Sequence, residues 1–66
     1  MASTFTRAQA LDLLWSDAYE DASSFDEPLE VCRSSADRVR SFYSDCSNAV
    51  LAGALEDHLG WRPTVE

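Results

Sequence analysis

The side chains that could do chemistry in these 66 residues are one histidine, two cysteines and twelve carboxylates. His58 stands in the run Glu56-Asp57-His58. Catalysis by histidine needs a nucleophile on one side and an orienting acid on the other. No such set is indicated by spacing, so His58 reads as a cation in the last turn of a helix, where the dipole favours it. Cys32 and Cys46 are fourteen positions apart, and one continuous helix would hold them on a common face but about 21 Å apart at 1.5 Å per residue. They are expected to be unpaired thiols acting as small hydrophobes. The acids invite a calcium loop, but the required pattern fails from Asp17, whose third position is Tyr19, and from Asp21, whose fifth is Phe25. Gly53 and Gly60, the two glycines, build no phosphate loop. The reading is therefore non-enzymatic, with no catalytic residue, no metal site and no cofactor.

What the carboxylates do offer is concentrated charge. Between Arg7 and Arg33 there is no basic residue, while Asp12, Asp17, Glu20, Asp21, Asp26, Glu27 and Glu30 all fall there. The remaining five acids are matched by five arginines, so the whole net charge of −7 belongs to residues 8–32. Ordinary solvated faces interleave opposite signs; this one does not, and it carries Trp15, Tyr19 and Phe25 in the same stretch. Such a block repels nucleic acid and anionic membranes and attracts basic protein surfaces at long range. Direct nucleic-acid binding is disfavoured further because Arg33, Arg38 and Arg40 are offset by acids of their own region. The longest apolar run, Ala49 to Leu55, is seven residues, far short of the ~20 that cross a bilayer. The first seven residues lack the basic and apolar regions of a signal peptide, so the expected location is cytoplasmic.

Helices must position these groups. Thr6 and Gln9 form a capping box with Phe5 at the staple position before it. Ala8, Leu11, Trp15, Ala18 and Ala22 then recur at helical spacing, widened by Leu14 and Tyr19. This predicts a helix over about residues 7–22. A second, about 28–46, begins at Pro28 with Asp26 or Glu27 as its cap. Its seam is Cys32, Ala36, Val39, Tyr43, Cys46 and Val50, and its surface is knitted by the pairs Glu30–Arg33, Arg33–Asp37 and Asp37–Arg40. Ser47-Asn48 marks a break, with one long helix as the alternative, and a third helix over about 48–59 follows. Gly60 ends it in the left-handed conformation, which places Trp61 to pack back on Leu55. Residues 62–66 read as a tail. No strand is expected.

The architecture expected is a single all-α domain, a small bundle of two or three helices. Its core is expected from Leu11, Leu14, Trp15, Ala18, Val39, Phe42, Tyr43, Cys46, Val50, Leu51, Leu55 and Trp61, with Phe25 and Leu29 closing one end. At this length a single core is marginal, so a partner or a homodimer would add useful burial.

Three uses of the acidic block are consistent with these residues. The acids could only keep a small protein soluble. Residues 11–30 could be an acidic-aromatic recognition segment that folds on its partner. Or Asp17, Glu20 and Asp21, about 5–6 Å apart at Cβ on a helix, could imitate the phosphates of a nucleic-acid strand. In size, charge and the block from Asp12 to Glu30 the chain resembles the small acidic phage proteins that inhibit host defence nucleases, anti-CRISPR and anti-restriction inhibitors among them. That resemblance implies a partner with a basic, nucleic-acid-handling surface, met by Asp12, Asp17, Glu20, Asp21, Asp26, Glu27 and Glu30.

Overall fold

Thr6 and Gln9 start the structure as their types dictate. The computed structural model describes residues 4–66. In it the Gln9 amide donates to Thr6 Oγ1 at 3.1 Å, and the Thr6 amide donates to Gln9 Oε1 at 2.9 Å. Helix α1 runs from there over Arg7–Ser23. Helix α2 spans Leu29–Ser44, and α3 spans Asn48–Leu59. The break between the last two is real: the Ser47 hydroxyl accepts from the Val50 amide and caps α3. Gly60 closes α3 with φ of 82°, a conformation that glycine adopts without steric cost. The all-α bundle of three helices is the observed architecture.

Local details depart from expectation at two junctions. Pro28 stands outside α2 as its cap residue, with ψ of 151°, and neither Asp26 nor Glu27 caps that helix. Asp26 instead takes a left-handed conformation, φ of 59°, which turns the chain between α1 and α2. Aspartate tolerates that region better than most residues. The second departure is the tail. Thr64–Val65 form a strand, β2, that pairs in parallel with β1, Thr4–Phe5. The Glu66 amide donates to the Phe5 carbonyl, and the Arg7 amide to that of Glu66, both at 2.9 Å. Two-residue strands are too short to show alternation, so no periodicity could announce them. Trp61 stacks on Phe5, with ring centroids 6.3 Å apart.

The helices are arranged around α1. Arg7 reaches the Ser44 carbonyl, Asp12 meets Arg40, and Trp15 meets Asp37; as one partner number rises the other falls, so α2 runs antiparallel to α1. Arg7 also meets Asn48, and Asp17 meets His58, so α3 runs parallel to it. Helices α2 and α3 barely touch each other. The result is flat, 36 × 23 × 14 Å across the Cα atoms.

This arrangement explains which apolar residues are inside. Flanked on two sides, α1 buries Ala10 and Leu14 against Leu51 and Leu55 of α3, while Cys32 and Ala36 vanish into the seam with α2. Each fully buried leucine contributes about 1.5–3 kcal/mol. Small residues at 32 and 36 let α1 and α2 approach closely. Several expected core residues are exposed instead: Phe42, Val50 and Trp61, and also Phe25 and Leu29, which close nothing. Their positions suit a bundle in which every helix touches two others, and here α2 and α3 each have one helical neighbour.

Cys32 is completely buried and Cys46 half-buried, and both are free thiols. An alkylating reagent is therefore expected to modify Cys46 in the native protein and Cys32 only on unfolding. Mass spectrometry should show one adduct before denaturant and two after. Equal rates at both thiols would contradict the packing of α2 on α1.

Candidate functional site

The seven acids of residues 12–30 separate into groups once folded. Asp12 stands apart from the others: its carboxylate pairs with Arg40 at 3.2 Å across the α1–α2 seam. Asp37, expected to pair along α2, accepts the Trp15 indole N–H at 2.8 Å instead. None of the expected pairs Glu30–Arg33, Arg33–Asp37 and Asp37–Arg40 is found among the described residues. The reason is reach. Interhelical partners offered Arg40 and Asp37 better geometry than neighbours one turn away, and exposed pairs along a helix gain only about 0.3–0.5 kcal/mol.

The other six acids gather at one end. Helix α3 stops near the level of Asp17, where His58 Nδ1 lies 2.8 Å from Asp17 Oδ1. Beyond it α1 and α2 continue as a free helical hairpin. Glu20 and Asp21 stand in the last turn of α1, Asp26 and Glu27 in the connecting turn, and Glu30 in the first turn of α2. These five carboxylates form no ion pair among the described residues. Phe25, 72% exposed, and Leu29, 65% exposed, stand among them. Glu30 is favoured by the α2 dipole, but Glu20 and Asp21 lie at the wrong end of α1, a local cost that its last turn offsets with no base.

Beside the hairpin end lies a groove of about 490 Å³, opened because α2 and α3 flank α1 and barely touch each other. Leu14 and Ala18 of α1, Val39 and Tyr43 of α2 and Ala54 of α3 supply its apolar lining. Asp17, Asp21, Asp57 and His58 supply its polar lining. Asp57 was not among the acids the sequence singled out. Its separation of forty residues from Asp17 hid it, and only the parallel run of α3 along α1 brings the two together. Asp17 and His58 could orient an acid–base pair, yet among the described residues the only hydroxyl lining the groove is that of Tyr43. Among the described residues no three histidine, cysteine, aspartate or glutamate side chains are grouped so as to hold a metal ion.

No helix of the described residues is long and apolar enough to cross a membrane. Comparison with protein-family models, with curated proteins and with solved structures returns no match for this chain.

Proposed function

We propose that this chain is a non-enzymatic binding protein that docks its acidic hairpin end on a basic surface of another protein, as an anti-CRISPR-like inhibitor would occupy a surface built for nucleic acid. The observation that supports this reading is the gathering of Glu20, Asp21, Asp26, Glu27 and Glu30 at one projecting end, unpaired among the described residues and interleaved with exposed Phe25 and Leu29. A surface that served only solubility would spread such charge and would not hold large apolar groups out among it. The carboxylates supply long-range attraction and fast association. Phe25 and Leu29 supply apolar contact at short range. Asp12, paired with Arg40, adds less to that attraction than the unpaired acids do.

Capture on immobilised protein from a bacterial lysate tests the reading. A bound partner should be retained at low salt and released at high salt, because attraction between exposed charges is screened over about 10 Å at 0.1 M. The retained protein should itself bind nucleic acid, and added oligonucleotide should displace it. Retention that is indifferent to both salt and oligonucleotide would refute the mimicry.

A further inference from the structure

We propose that the groove between the three helices is a socket for an arginine side chain of the partner, an inference that rests on the proposed function only for the source of that side chain. The groove is polarised along its length. On α1, Leu14 precedes Asp17 and Asp21 by one and two turns, and on α3 Ala54 precedes Asp57 and His58 by one turn. Helix α2 runs the other way, and the contacts Asp12–Arg40 and Trp15–Asp37 set Val39 at the Leu14 level. One half is therefore apolar and the other acidic, separated by one to two helical turns, roughly 5–10 Å.

That pattern matches one kind of ligand. An aliphatic stem laid along Leu14, Val39 and Ala54 would carry its cationic head to Asp21 and Asp57. Neither of these carboxylates has an ion-pair partner among the described residues, whereas Asp17 is held by His58. The volume of about 490 Å³ falls within the range of sites for small organic groups. The donors do not converge as a metal would require. Guanidinium suits the site better than ammonium, because it is planar, weakly hydrated and able to bind two carboxylates at once. No lysine or arginine of this chain lines the groove, so the cation must come from outside.

The test uses the whole folded chain, isotopically labelled, and N-acetyl-arginine N-methylamide as the probe. Amide shifts in the nuclear magnetic resonance spectrum should saturate and should centre on Asp17, Ala18, Asp21, Ala54 and Asp57. The norleucine counterpart, with the stem but no charge, should bind about tenfold more weakly or worse. Asp21→Asn combined with Asp57→Asn should abolish the response to the arginine probe while the spectrum stays dispersed. Shifts that avoid the groove, or an equal response to the norleucine compound, would overturn the proposal even if the double variant failed to fold. An equal response to the lysine counterpart would overturn the choice of arginine. Glu20 and Glu30 lie outside the groove, so a socket that fails while reversal of those two still weakens partner binding leaves the acidic docking reading standing.

Discussion

Arg7→Ala is expected to destabilise the fold by about 2–3 kcal/mol and to lower its melting temperature by roughly 10–20 °C. From the first position of α1 the guanidinium donates to Asn48 Oδ1 and to the Ser44 carbonyl, each at 2.7 Å, and to the Cys46 carbonyl. It thus ties the end of α2 and the start of α3 to the start of α1. The carbonyls at the end of α2 have no intrahelical donor, and α2 carries no base in its own last turn. Arg7 supplies that missing cation from forty residues away in sequence. Hydrogen bonds from a charged donor contribute about 1.5–3 kcal/mol when partly shielded, and Arg7 is half-buried. A domain of this size has about 3–10 kcal/mol in all, so a single truncation takes a large share. Arg62→Ala is the comparison. Its guanidinium meets the Ala49 carbonyl at 3.2 Å and Glu56 at 3.7 Å in an exposed setting, and its loss should cost about 1 kcal/mol or less. Thermal melts followed by circular dichroism would decide; a melting point for Arg7→Ala within about 4 °C of the parent would show that the clamp is not a major element of stability.

Arg7 also marks the boundary between what the sequence discloses and what it hides. The caps at Thr6–Gln9, Ser47 and Gly60 are legible because the hydrogen bonds that define them close over three or four residues, and the residue types needed are few. The Arg7 clamp closes over 37 to 41 residues, and the β1–β2 pairing over sixty. Nothing local distinguishes Arg7 from a solvated arginine, or Thr64-Val65 from a tail. Burial was legible only in part, for a related reason. The seam through Ala8, Leu11 and Trp15 follows from one partner helix, whereas α1 has two: Ala10 and Leu14 are buried, Leu11 and Trp15 only partly so, and Ala8 is exposed. The acidic block was plain in composition, but its membership was not: Asp12 is neutralised by Arg40 from α2, and Asp57 enters from α3. Sequence shows where charge is made; tertiary pairing decides where it is left unanswered.

Reversing Glu20 and Glu30 together to lysine is expected to slow association with a captured basic partner by about 10- to 1,000-fold at low salt. Reversing Glu56 and Glu66 together should leave it within a few-fold. Each reversal removes one negative charge and adds one positive, so both double variants move the net charge from −7 to −3. They differ only in place. Glu20 and Glu30 stand at the hairpin end, near each other because α2 runs antiparallel to α1, and neither forms an ion pair among the described residues. Glu56 already shares its field with Arg62, and Glu66 lies beside β1 at the opposite end of α1. Stability should not confound the comparison. A lysine at position 20 stands in the last turn of α1 and suits the helix dipole, while a lysine at position 30 in the first turn of α2 opposes it, each by about 0.3–1 kcal/mol. The two changes nearly cancel, which circular dichroism can verify. Asp26 is left alone because its left-handed backbone would strain a longer side chain. Association and dissociation rates measured at several salt concentrations separate the outcomes. Loss confined to the association rate of the hairpin variant, with a shallower salt dependence, is the signature of a contiguous patch steering the encounter. Equal losses in the two doubles would mean that only net charge matters, and the acids of residues 12–30 would then be a solubilising surface with no docking role.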